Sequence, residues 1–262
     1  MIGAIIGDVI GSVHEHARPR TKTTDFPLFT PESRFTDDTV LTIATADALL
    51  GDGDYARAYR EWGKRYPRAG YGGRFKEWLR TPGAGPYRSF GNGSAMRVSP
   101  VAFAFDSVEE VLREAERSAE VTHDHPEGIK GAQVAALTVF LARSRVSKAE
   151  IRAEIAGRFG YDLSRTIDEI RPDYEFDVTC QGSVPEAIIA FLDTEDLEGA
   201  IRAAISLGGD ADTQAAIAGG AAGAVVDRAY APSLLQGVRA RLKGDMLDVL
   251  ERFSRRFATP AI

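Results

Sequence analysis

Apolar residues recur at intervals of three and four along most of the chain and strict alternation is scarce, so the pattern predicts helices almost throughout. The segments that fit cover roughly 2–14, 37–50, 54–65, 108–120, 126–143, 148–158, 185–192, 195–206, 212–228 and 245–257. Several starts carry their own signals: Ser107 with Glu110 and Ser147 with Glu150 fit the capping box, and Pro126 and Pro185 suit a first helical position. One stretch, Tyr174 to Cys180, alternates enough to be a weak strand candidate. Between Arg80 and Pro100 glycine and proline are too dense for regular structure, and a long loop in a compact domain is a candidate binding wall. No linker or fixed-period repeat divides the chain, so the expectation is an all-α fold with residues 1–262 as one domain.

Polar residues inside this pattern carry the chemistry. In "SLGGDADTQAAIAGGAAGA", Ser206 to Ala224, a glycine pair leads into Asp210, Asp212 and Thr213, and a ladder of alanine and glycine follows. A helix cap needs one acid or hydroxyl, whereas two carboxylates one residue apart with a neighbouring hydroxyl resemble hard oxygen ligands for a divalent cation. Small residues let helix backbones approach closely, so this acidic helix start can lie deep in the fold, where carboxylates are costly unless a cation compensates them. Gly3, Gly7 and Gly11 repeat the device along one helical face, and Glu15 continues that row. In "FTDDT", Thr36 caps a helix with Asp37 and Asp38 in its first turn, which dipole and cap energies of about 1 kcal/mol each explain without a metal. Acids and hydroxyls from three distant segments nevertheless point to one shared metal site.

Composition narrows the choice. Hydrophobic residues make up 44% and charged residues 27%, enough apolar material for a core and too much for disorder. A net charge of -6 with no basic stripe argues against a general nucleic-acid binder. Cys180 is the only cysteine, which excludes an intrachain disulfide and a thiolate metal cluster. With no apolar run long enough to span a bilayer and no basic segment ahead of the first one, the chain reads as cytoplasmic. The histidines offer a zinc alternative, since all four occur as the pairs His14/His16 and His123/His125. Residues two apart on a helix face nearly opposite ways, however, and no HExxH pattern occurs.

Four ordered motifs, "GAIIGDVIGSVHE", "FTDDT", "GNGSAMRVSP" and "GGDADTQAAIAGGAAGA", make the chain similar to the ADP-ribosylglycohydrolase family. The resemblance implies a single orthogonal all-α domain with two divalent cations, Mg2+ or Mn2+, at the base of a cleft. It implies metal ligands at Thr36, Asp37, Asp38, Asp210, Asp212 and Thr213, and an acid/base among Glu15, Asp37 and Asp38. ADP-ribose, free or on an ADP-ribosylated substrate, would be held by Phe90, by the amides of Gly91, Asn92, Gly93 and Ser94, and by His123. Glu32, Phe35 and Gly70 to Gly85 would shape the rim. The implied reaction is hydrolysis of the bond between ADP-ribose and its acceptor. The same ions would also suit a phosphohydrolase of a nucleotide diphosphate, and a non-catalytic ADP-ribose reader is the other class left open.

Overall fold

The structure, a computed structural model, describes residues 1–225 and 230–259. Among them are fifteen helices and no sheet. They are α1 (Ile2–Gly11), α2 (Asp37–Leu50), α3 (Tyr55–Arg65), α4 (Gly73–Arg80), α5 (Gly93–Met96), α6 (Val101–Ala104), α7 (Val108–Glu120), α8 (Pro126–Arg143), α9 (Lys148–Phe159), α10 (Ile167–Ile170), α11 (Cys180–Leu192), α12 (Leu197–Ile205), α13 (Ala211–Ala222), α14 (Pro232–Arg239) and α15 (Gly244–Phe257). No helix among the described residues is long and apolar enough to cross a membrane.

The core is organised on α1 and α13, both buried on every face. Their backbones meet without side chains between them. A Cβ at Gly3 would lie 2.1 Å from the Gly219 carbonyl oxygen, one at Gly7 2.0 Å from that of Ala215, and one at Gly11 2.5 Å from the Asp212 Cα. The four-residue glycine row of α1 is therefore the seam against the small residues of α13, and α11, α12 and α8 close around the outside of α13. This crossing carries Asp8 and Asp212 into the same interior.

Several expectations need correction. Helix α1 stops at Gly11, where Ser12 turns its hydroxyl back to the Val9 carbonyl at 3.0 Å, so Glu15 is placed by a turn and not by continuation of the helical row. Tyr174 to Cys180 forms no strand: only one bridge, Gly91 with Thr179, is made, by Asn92 N to Val178 O and Cys180 N to Phe90 O, both 2.8 Å. That bridge pins the glycine-rich loop. Pro185 lies inside α11, which starts earlier on the Thr179 cap. The carbonyl that an N–H at 185 would have bonded belongs to Gln181, which is exposed and can bond water. Ser147 and Glu150 form the full capping box, whereas Ser107 accepts from the Glu110 amide without the reciprocal bond. The helix expected over 212–228 ends at Ala222, and its last three positions lie outside the described residues.

Candidate metal and ligand site

Three segments meet at the floor of a cleft of about 380 Å³. The turn after α1 brings Glu15, the start of α2 brings Asp37 and Asp38, and the start of α13 brings Asp210, Asp212 and Thr213; all six line the cleft. Carboxylate oxygens of Asp8, Asp38 and Asp212 lie within 4.8 Å of one another, and so do those of Glu15, Asp210 and Asp212. Asp212 belongs to both groups, so the acids form two adjoining clusters. Asp38 Oδ1 is buried and has no hydrogen-bond partner. An all-oxygen donor set with an orphaned, inward carboxylate oxygen fits a hard divalent cation. Among the described residues no such group includes a histidine. His14 Nδ1 bonds Thr21 at 2.9 Å and His125 Nδ1 accepts from the Glu127 amide at 3.2 Å, and no described histidine gathers with two further ligands as a zinc site would need.

Asp8 is the residue that sequence reasoning missed. Its Oδ1 accepts from the Thr36 hydroxyl at 2.7 Å, and its Oδ2 accepts from the Thr36 amide at 3.0 Å, the Thr39 amide at 3.1 Å and the Thr39 hydroxyl. It thus caps α2 from a different helix and fixes where Asp37 and Asp38 stand. The signal was available, because one carboxylate inside the apolar run "IGAIIGDVIG" must be buried with partners. Thr36 faces Asp8 and Asp38, its hydroxyl 3.2 Å from Asp38 Oδ2, and it is absent from the cleft lining. Thr213 donates to the same oxygen at 3.4 Å.

Burial, with repulsion from neighbouring charges, raises the proton affinity of the aspartates of the cluster. Asp37 is pushed up to about 8, by burial first and then by the charges of Asp8, Asp210 and Glu15. Asp210 rises to about 6 through burial, against the hydrogen bond from Asn92 that holds it down. Asp38 and Asp212 are raised well above the usual range by burial and by neighbouring aspartates. Without a counter-cation these acids resist ionising together.

The loop over the cleft is built differently from its first reading. Asn92 turns its side-chain amide inward, donating to Asp210 Oδ2 at 2.8 Å and to the Ser183 hydroxyl at 3.1 Å, so it supports an acid of the cluster. Ser94 is buried and donates to the Gly128 carbonyl at 2.7 Å. Gly91 and Gly93 line the cleft, and the His123 Nε2 edge faces both, since a Cβ would come within 3.8 and 3.3 Å of that nitrogen. Burial, helped by Arg97 and Arg74, lowers the His123 pKa well below its ordinary value and keeps the ring neutral. Phe90 is exposed, its ring 5.3 Å from that of His125 and outside the lining. Of the expected rim, Gly70, Gly72, Gly73, Arg74 and Phe75 line the cleft, while Glu32 and Phe35 do not.

The chain is similar to ADP-ribosylhydrolase ARH3 of Mus musculus, 27% identical over 90% of this chain and 85% of that protein. It is also similar to ADP-ribosylarginine hydrolase Tri1 of Pseudomonas putida, 28% identical over 86% of this chain and 69% of the other. A solved structure described as an ADP-ribosylglycohydrolase-related protein complex shares the fold, with a TM-score of 0.62 at 24% identity, covering 98% of this chain and 94% of that one. The ADP-ribosylglycohydrolase family model matches residues 1–261, in agreement with the helical architecture and the acidic cleft, and the chain belongs to the ADP-ribosylglycohydrolase family.

Proposed function

We propose that this protein hydrolyses the glycosidic bond between ADP-ribose and an acceptor, with Mg2+ or Mn2+ held at the acidic floor and residues 1–262 acting as one domain. The observation that carries the reading is the convergence of Asp38, Asp212 and Glu15 from three segments, with Asp38 Oδ1 unpartnered in the interior. Asp38, Asp210, Asp212 and Thr213, with Thr36 behind them, are the residues that would hold the ions, and Asp37 completes the set at the cleft wall. When bound, two such ions would orient vicinal ribose hydroxyls and a water toward the anomeric carbon.

The protein's own groups supply the rest. All five carboxylates line the cleft, but Glu15 and Asp37 are partly exposed, whereas Asp38, Asp210 and Asp212 are buried. A general base or acid must reach the proton it transfers, so the role falls to Glu15 or Asp37 and not to Asp38. One of them takes the proton of the attacking water while the carbon–acceptor bond breaks, and the released acceptor is protonated, giving free ADP-ribose. The Gly91 amide donates to the Ser89 hydroxyl at 3.2 Å and that of Asn92 to the Val178 carbonyl, so the amide of Gly93, at the start of α5, would receive the diphosphate; the neutral His123 packs against that loop without adding charge, and Phe90 offers an exposed ring for the nucleoside end.

ADP-ribosyl-arginine, ADP-ribosyl-serine and O-acetyl-ADP-ribose should be offered with Mg2+ or Mn2+. Release of free ADP-ribose from at least one supports the proposal. Release of phosphate or AMP in its place would make the protein a phosphohydrolase, and tight ADP-ribose binding without turnover would make it a reader.

A further inference from the structure

The segment that supplies one wall of the cleft carries a charge opposite to that of the whole protein. Between Tyr55 and Phe90 there are nine lysines and arginines against two acids, a formal +7 within a chain of net -6. This segment holds α3, α4 and the loop leading to Ser89, and it supplies Gly70, Gly72, Gly73, Arg74, Tyr87 and Ser89 to the cleft lining. Some of its cations are used internally. Arg57 pairs with Asp52 at 2.7 Å, Arg65 with Asp245 at 3.0 Å, and Arg60 lies over the Trp78 ring at 3.7 Å while donating to the carbonyls of Trp78 and Ala84. Five others, Lys64, Arg68, Lys76, Arg80 and Arg88, are exposed and make no ion pair with the described residues. Lys76 and Arg80 sit one turn apart on α4, on the row that begins at the cleft-lining Gly73. Like charges at that spacing disfavour the isolated helix, and no acid among the described residues forms an ion pair with either.

Resting on the hydrolase reading above, we propose that this wall docks an acidic segment of the protein that carries the ADP-ribose, so that acidic residues flanking the modified side chain determine which substrates are taken. Unpaired surface cations beside a cleft attract a partner of opposite sign and raise encounter rates, with a strong dependence on salt. A short acidic peptide fits better than a nucleic-acid strand. The exposed cations end where the acidic floor begins, since a Cβ at Gly70 would lie 2.8 Å from Asp37 Oδ1, so Glu15 and Asp37 would repel a long polyanion that continued from this segment into the cleft.

The test uses the full chain with Mg2+ and two ADP-ribosylated peptides alike except that one has glutamates, the other glutamines, flanking the modified residue. At low salt the parent should show a KM about tenfold lower for the acidic peptide, and the difference should vanish by about 0.5 M salt. The Lys76→Glu/Arg80→Glu variant should raise that KM about tenfold, leaving kcat and the KM of the glutamine peptide within about twofold. Lys76→Gln/Arg80→Gln should fall between. Equal KM values for the two peptides with the parent, or equal changes for both with the variant, would overturn the proposal. If no ADP-ribosylated substrate is turned over, the hydrolase reading fails on its own, and docking is still read by anisotropy of a dye-labelled, unmodified glutamate-rich peptide, whose binding the glutamate variant should abolish. An oligothymidylate that displaces this peptide at equal charge concentration would overturn the choice of a protein partner.

Discussion

Replacing Gly7 by alanine sets two effects of known size against each other. In a helix interior the change should stabilise by about 1 kcal/mol through propensity alone. At this position the new Cβ would lie 2.0 Å from the Ala215 carbonyl oxygen and 2.8 Å from the Ala216 nitrogen. Both obstacles are backbone, so no side chain can rotate away, and α1 must withdraw from α13 by about 1 Å to reach a tolerable contact. A gap of that size forfeits about a quarter to a half of each contact well along the seam, and overpacking strain costs about 1–3 kcal/mol more. The net expectation is a loss of about 2 kcal/mol, or a fall in Tm of about 4–8 °C. Gly157 in α9 is the control: it is exposed, and nothing lies within 4 Å of a Cβ there, so Gly157→Ala should raise Tm by about 2–4 °C. Urea unfolding and thermal melts of both variants, with and without Mg2+, decide the matter. The withdrawal also moves Asp8 and Glu15 away from Asp212, so the Gly7 variant should bind Mg2+ more weakly than the Gly157 variant. If both variants are stabilised alike, the close crossing of α1 and α13 is wrong, and the account of how the acids converge falls with it.

Other outcomes test the site directly. Exhaustive chelation should abolish turnover, and Mg2+ or Mn2+ should restore it; rescue by zinc alone would contradict the all-oxygen donor set. For the metal-free protein, Asp37 and Asp210 hold protons in the folded state up to about 8 and about 6, against 3.8 for an unperturbed aspartate. The folded state therefore binds more protons than the unfolded chain across that window, and this stabilisation, complete below about pH 4, should be lost as pH rises toward 8. The slope is at most about 1.4 kcal/mol per pH unit per group, and less for Asp37, which keeps contact with the water of the cleft. Mg2+ should flatten the Tm-versus-pH curve, and a flat curve in EDTA would argue against a crowded cluster. Asp212→Asn keeps volume but removes one charge shared by both groups of acids, so metal affinity and turnover should fall by more than about tenfold, with the circular dichroism spectrum unchanged. Parent-like turnover of that variant would leave these acids as helix caps alone.

Period and composition alone determined that the chain is helical, that α1 and α13 carry small residues for close approach, and that the acids at the start of α13, Asp210 and Asp212, exceed what capping requires. Those are local properties, written in spacings of three and four residues, and the sequence displays them directly. The tertiary structure decided which acids meet and what holds them there. Asp8 caps a helix whose bonded groups lie 28 and 31 residues away, Asn92 supports Asp210 from 118 residues away, and Thr213 reaches Asp38 across 175. Nothing in a local period encodes such pairings, because a side chain's partner is set by how helices cross. The same holds for Glu15, which a turn and not a helical row brings to Asp212, and for Tyr174 to Cys180, whose alternating pattern finds only one backbone partner in the loop and so makes a single bridge where a strand was expected.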